Sequence, residues 1–128
     1  MVHRLSVLLV DDEPMVCAFM QRVLEGRGYY VWTAHSVAEA LEVLVKHGHE
    51  LNLVVTDVLM PGISGPALAK AVRQSFPDLP VLFVSGYHGN YGSQVPAAAR
   101  LEKPFTASEL LERVEALMAP AGDMALTL

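Results

Sequence analysis

A chain of 128 residues, 52 % apolar, with few aromatic residues and a formal net charge of −5, fits one globular domain able to bury a real core. No apolar run approaches the roughly 18 residues that would cross a bilayer, and the N-terminus carries no signal-peptide pattern. The lone cysteine, Cys17, excludes an internal disulfide and a multi-cysteine metal site and suits a reducing cytoplasm, while the nine scattered Lys and Arg residues make no nucleic-acid footprint.

Apolar runs alternate with segments of helical period. "LSVLLV" (5–10) predicts a first strand, followed by "PMVCAFMQRVLEGRG", which opens with Pro14 and closes on Gly26 and Gly28, a helix signature. "YYVWTA" (29–34) predicts the second strand. "SVAEALEVLVKHG" then places Ser36 and Glu39 at capping-box spacing and ends at Gly48. "LNLVVT" (51–56) predicts the third strand, and "SGPALAKAVRQSF" a helix after the Pro61–Gly62 turn. "PVLFVS" (80–85) predicts the fourth strand. The following "GYHGNYGSQVPAA" contains three glycines and a proline, so any helix there is expected to be short or mobile. A weak "AAARL" (97–101) predicts the fifth strand, and "TASELLERVEALM" repeats the capping-box spacing with Thr106 and Glu109. Residues 1–120 are expected to form the domain, and 121–128 a flexible tail.

Strand and helix alternating five times predict a parallel sheet with helices on both faces. Runs such as "VLLV" and "VLFV" suit strands buried on both sides. Ligands of such sheets bind beyond the carboxyl ends of the strands. There the unusual polar residues gather: Asp11, Asp12 and Glu13 after the first strand, Asp57 after the third, Ser85 after the fourth and Lys103 after the fifth.

Carboxylates pressed together repel unless a cation intervenes. Lys103 supplies one positive charge, and Mg²⁺ is the usual divalent ion where a phosphoryl group completes the shell. A carboxylate can be the nucleophile in phosphoryl transfer, with a lysine and a metal to neutralise charge and a hydroxyl to hold a phosphoryl oxygen. Each residue also has a plainer reading. Asp11 or Asp12 would serve as a helix cap, Glu13 as a cap or a solvated neighbour, Ser85 as a turn residue and Lys103 as a surface lysine. "HGH" (47–49) sits at a helix end, where imidazoles complement exposed carbonyls; His88 is expected to face solvent, and Cys17 to be partly buried and idle.

"LLVDDE", "VVTDVLMPGISG", "PVLFVSGY" and "LEKPF", in this order and spacing, resemble the receiver domain of two-component response regulators. The likeness covers residues 5–118, and the wording is most similar to receivers attached to hybrid sensor histidine kinases. The resemblance implies a flavodoxin-like α/β fold, doubly wound with strand order 2-1-3-4-5. It implies that Asp57 is the phosphoacceptor, charged from the phosphohistidine of a kinase or phosphotransfer domain. It implies Mg²⁺ held by Asp11, Asp12, Asp57 and the backbone carbonyl of Leu59, with Ser85 as the switch hydroxyl and Lys103 as its partner at the phosphoryl group. A cis bond before Pro104 belongs to the same pattern. Such a chain is a cytoplasmic signalling module rather than an enzyme, with no direct contact to nucleic acid and no membrane insertion. Its output partner is expected on the face built from residues 87–118. Being nearly all receiver, it is expected to be a stand-alone regulator or a segment of a hybrid kinase.

Two departures stand out. Arg100 occupies the place where the family carries Tyr or Phe, three residues before the lysine, so ring rotation is not expected as the switch. The glycine-rich stretch makes ordering of residues 87–96 upon phosphorylation the expected alternative. Leu59 and Tyr87 match positions that govern water's access to the acyl phosphate, implying slow self-dephosphorylation. The alternative function is a constitutive binding module independent of phosphorylation. An aspartyl phosphatase of the haloacid-dehalogenase type would want an aspartate where Leu59 stands, and a flavin carrier a Ser/Thr-rich loop in place of "DDEPM".

Overall fold

The computed structural model describes residues 4–58, 65–86 and 99–118. Five parallel strands lie in the order β2-β1-β3-β4-β5. They are β1 (Ser6–Val10), β2 (Tyr30–Ala34), β3 (Leu53–Asp57), β4 (Val81–Ser85) and β5 (Arg100–Glu102). Among the described residues four α-helices accompany them, α1 (Pro14–Gly26), α2 (Val37–His47), α3 (Gly65–Ser75) and α4 (Ala107–Met118), and a 3₁₀ turn spans Gly48–Glu50. The doubly wound architecture expected from the alternation is the one observed.

Side-chain alternation along a strand sorts the apolar residues into two cores. Val7 and Leu9 of β1 join Leu53, Val55, Leu82 and Val84 beneath Met20 and Leu24 of α1 and Leu110 and Val114 of α4. Leu8 and Val10 face the other way, packing with Val54 against Ala40 and Leu44 of α2 and Leu68 and Val72 of α3. The central strands are thus apolar on both faces because both faces carry helices. Cys17 belongs to the first core at 1 % exposure rather than being partly buried, because it shares the helical face of Met20 and Leu24. Burial pushes its thiol up to about 11, which makes it an inert packing residue.

Local chemistry fixes the helix ends. The Gly28 N–H donates to the Glu25 carbonyl and the Tyr29 N–H to the Leu24 carbonyl, closing α1 in a Schellman turn. Gly28 carries φ +98°, a conformation that side chains resist. A Cβ there would meet no neighbour within 4 Å, so Gly28→Ala is expected to cost only the backbone term, about 1 kcal/mol, read as a lowered urea midpoint with unchanged slope. At α2, the Ser36 hydroxyl accepts from the Glu39 N–H at 3.1 Å. Glu39 returns its carboxylate to the N–H of His35 at 3.2 Å, one residue ahead of the expected box. At α4 the box is reciprocal, the Thr106 N–H donating to Glu109 at 2.9 Å and the Glu109 N–H to Thr106 at 3.1 Å.

β5 lies at Arg100–Glu102 rather than 97–101, paired with Phe83, Val84 and Ser85. His47 stacks on Trp32 with centroids 4.2 Å apart and its Nδ1 meets Glu50 at 3.0 Å. His49 meets the Phe76 ring edge-on, so the two imidazoles serve different neighbours and packing. Leu59, Tyr87, His88, the stretch 87–96 and the tail 121–128 lie outside the described residues. Among the described residues no helix is long and apolar enough to cross a membrane.

Candidate functional site: an acidic pocket with a lysine

Asp11 and Asp57 stand at the carboxyl ends of the adjacent strands β1 and β3, so the topology alone brings two acids together. One carboxylate oxygen from each of Asp11, Asp12 and Asp57 lies within 4.8 Å of the others. Asp11 is wholly buried and Asp57 6 % exposed. Burial raises the Asp11 carboxyl above the ordinary aspartate range, and the charge of Asp57 adds to this. The Glu13 N–H and the Lys103 ammonium pull the other way without cancelling it.

Lys103 reaches this cluster because β5 ends one residue earlier and the Lys103 N–H donates to the Ser85 carbonyl at 2.8 Å. The Lys103–Pro104 bond is cis, as the resemblance implied. Its Nζ donates to Asp11 Oδ2 at 3.3 Å, Asp57 Oδ2 at 3.2 Å and Glu13 Oε1 at 3.2 Å, which accounts for all three ammonium protons. Burial would depress this lysine, but the charges of Asp11 and Asp57 and the bonds from Glu13 and Asp57 outweigh it, so its pKa stands above the ordinary value.

Ser85 ends β4 and is buried at 1 % exposure; Val84, just before it, is the register partner of Asp57. The structure therefore brings together Asp11, Asp12, Asp57 and Lys103, with Ser85 on the strand next to Asp57. Sequence reasoning set Glu13 aside as a cap. It occupies the N-cap position of α1 yet makes no side-chain cap bond, and its carboxylate goes to Lys103 instead. His35 was also missed. Its ring Nδ1 lies 3.1 Å from the Asp11 carbonyl oxygen, and the strand order β2-β1 is the signal that places the residue after Ala34 beside the residue after Val10.

A family model described as the response regulator receiver domain matches residues 7–115. The chain belongs to that family. It is 40 % identical over 117 residues to the sensor kinase CckA of Brucella abortus, a match covering 88 % of this chain and 12 % of the kinase. It is 31 % identical over 119 residues to the response regulator receiver protein CpdR of the same organism, covering 90 % of this chain and 98 % of that protein. The crystal structure of the receiver domain from the hybrid histidine kinase CckA superposes with a TM-score of 0.77 at 36 % identity, covering 89 % of this chain and 99 % of that domain. The chain thus spans an eighth of one curated relative and nearly the whole of another. Receiver domains are signalling modules of two-component systems, and this chain carries their fold and their order of strands.

Proposed function

We propose that this receiver accepts a phosphoryl group on Asp57 from the phosphohistidine of a histidine kinase or phosphotransfer domain. In the transfer, an Asp57 carboxylate oxygen attacks phosphorus, an O–P bond forms, and the P–N bond breaks with its electron pair returning to the imidazole. The observation that carries the reading is the Lys103 ammonium bonded at once to Asp57 and Asp11 over three convergent carboxylates. A structural ion pair needs one acid; three acids around one lysine leave an excess of negative charge that a hard cation satisfies.

The donor set is all oxygen, which suits Mg²⁺. Asp11, Asp12 and Asp57 would hold it, with the Leu59 backbone carbonyl in the role the family assigns. When bound, it supplies charge neutralisation at the phosphoryl oxygens. Lys103 follows the charge from the Asp57 carboxylate to a phosphoryl oxygen, and the Ser85 hydroxyl donates to another. Glu13, 61 % exposed at the rim, is the partner that Lys103 gives up most cheaply, because water solvates the released carboxylate.

The approach surface lies beside the pocket. Met15, Val16, Phe19, Lys103, Pro104 and Phe105 line a groove. Met15 is 86 % exposed, and Phe19 packs on Phe105 with centroids 6.0 Å apart. An apolar groove that shares Lys103 with the acidic pocket fits an amphipathic helix that carries the donor histidine. Transfer from such a donor places the chain in the cytoplasm.

The output step departs from ring rotation, since Arg100 is the register partner of Phe83 where an aromatic residue would stand. A partner is proposed to read the phosphorylated state on the face built from residues 87–118, of which β5 and α4 are described.

Intact mass after incubation with Mg²⁺ and acetyl phosphate tests the chemistry. One added phosphoryl group is expected in the parent and none in Asp57→Ala. A parent that binds Mg²⁺ yet gains no mass, from acetyl phosphate or from a phosphorylated histidine donor, would leave the constitutive binding module as the reading.

A further inference from the structure

Asp11 is pinned at every polar atom. Its N–H donates to the Ala34 carbonyl at 3.0 Å, its Oδ1 accepts from the Glu13 N–H at 2.9 Å, and its Oδ2 accepts from Lys103. Its own carbonyl oxygen faces His35 Nδ1 at 3.1 Å. A carbonyl oxygen can only accept, so Nδ1 carries the proton in this contact.

That carbonyl belongs to the peptide plane joining Asp11 to Asp12. Whatever holds the plane sets the direction in which the Asp12 side chain leaves the backbone. No hydrogen bond among the described residues holds the Asp12 carboxylate itself, so its aim depends on the plane. His35 is in turn held from behind. Its N–H donates to Glu39 Oε1, and Glu39 is fixed by the Ser36 cap of α2. A chain of bonds therefore runs from the start of α2 through His35 to the backbone that presents the cation-binding acids. Groups one bond behind a metal ligand commonly govern affinity by orienting it.

We propose that His35 is a positioning residue for the divalent cation: its Nδ1–H fixes the Asp11–Asp12 peptide plane and pre-aims Asp12 at the pocket. The proposal rests on the reading of Asp11, Asp12 and Asp57 as the cation site. His35 is exposed and outside both apolar cores, so its replacement leaves packing intact. Loss of one neutral hydrogen bond predicts about a fivefold weakening of the cation. Asparagine places an amide N–H where Nδ1–H stood, so His35→Asn is expected to restore what His35→Ala removes.

The experiment is calorimetric titration of the unphosphorylated chain with Mg²⁺, for the parent, His35→Ala and His35→Asn, with melts in EDTA alongside. Expected are measurable binding by the parent, about fivefold weaker binding by His35→Ala, recovery by His35→Asn to within about twofold of the parent, and an EDTA melt of His35→Ala lowered by no more than the few degrees that one hydrogen bond is worth. In acetyl phosphate labelling, half-saturating Mg²⁺ should rise for His35→Ala while the rate at saturating Mg²⁺ holds. Equal affinities for parent and His35→Ala would overturn the positioning role and leave the cation site standing. Equal weakness of His35→Ala and His35→Asn would also overturn it, because the donated proton would then not be what matters. A parent that does not bind Mg²⁺ would remove the cation site, and the positioning role with it.

Discussion

Lys103→Met should destabilise the domain by about 2–3 kcal/mol at neutral pH and slow phosphorylation of Asp57 by roughly two orders of magnitude. Both effects have one cause. The Asp11 and Asp57 carboxylates are nearly removed from water, and the ammonium is a positive charge bonded to both. Removing it leaves like charges side by side in a poorly screened site. The fall is kept below the upper range for a broken buried pair because Lys103 itself is 17 % exposed, so water can enter where its ammonium stood. Methionine preserves the apolar length of the side chain, so the loss reports charge rather than packing.

The pH dependence distinguishes this account from a packing defect. Lys103 has a pKa raised in the folded state, so its own contribution is fully present below the ordinary lysine value and is lost only as pH rises through the folded one. Across pH 5–8 it is constant. Asp11 is also raised, so proton uptake favours the folded state; stability is gained as pH falls toward its ordinary value and lost as pH rises through the folded one. Without Lys103 the raise should grow. The gap between parent and Lys103→Met should therefore narrow steadily from pH 8 to pH 5 in urea titrations, and Mg²⁺ should narrow it further. A gap that stays constant with pH would assign the loss to packing.

How much of this was legible beforehand depends on distance along the chain. The apolar runs "VLLV" and "LNLVV" and the capping boxes at Ser36 and Thr106 are local signals, and strands, helices and their order could be read from them. Asp57 and Lys103 were legible because strand ends converge in a parallel sheet, whatever their separation. Glu13 was misjudged because a local role at the helix start was available and nothing in the sequence says that a lysine 90 positions on returns across it. His35 was legible in principle, since the expected order 2-1-3 puts the β2 loop against the β1 loop, but only the folded chain shows that its ring faces a carbonyl. β5 was placed early because the alanines look apolar, whereas Ala99 lies outside the strand, which pairs Arg100–Glu102 with Phe83–Ser85.

The second large effect runs in the opposite direction. Asp11→Asn should raise the stability of the metal-free domain by about 1 kcal/mol, roughly 4 °C in Tm. The carboxylate is wholly buried, its ionised form is disfavoured by burial and by Asp57, and an amide oxygen can still accept the Glu13 N–H. Lys103 keeps Glu13 and Asp57 as partners. The same substitution takes one charge from the proposed cation site, so the Mg²⁺-induced rise in Tm, which a site-bound ion produces by mass action, should shrink or vanish. Parent and variant melts are therefore expected to cross as Mg²⁺ is added: the variant melts higher in EDTA, the parent higher at saturating Mg²⁺. The check is differential scanning fluorimetry across a Mg²⁺ series, with Asp78→Asn as a control outside the acidic pocket. If both proteins shift in parallel, Asp11 is not among the cation's ligands and the buried acid would need another reason to exist. If they cross, the cost of crowding these carboxylates is the cost of holding an ion.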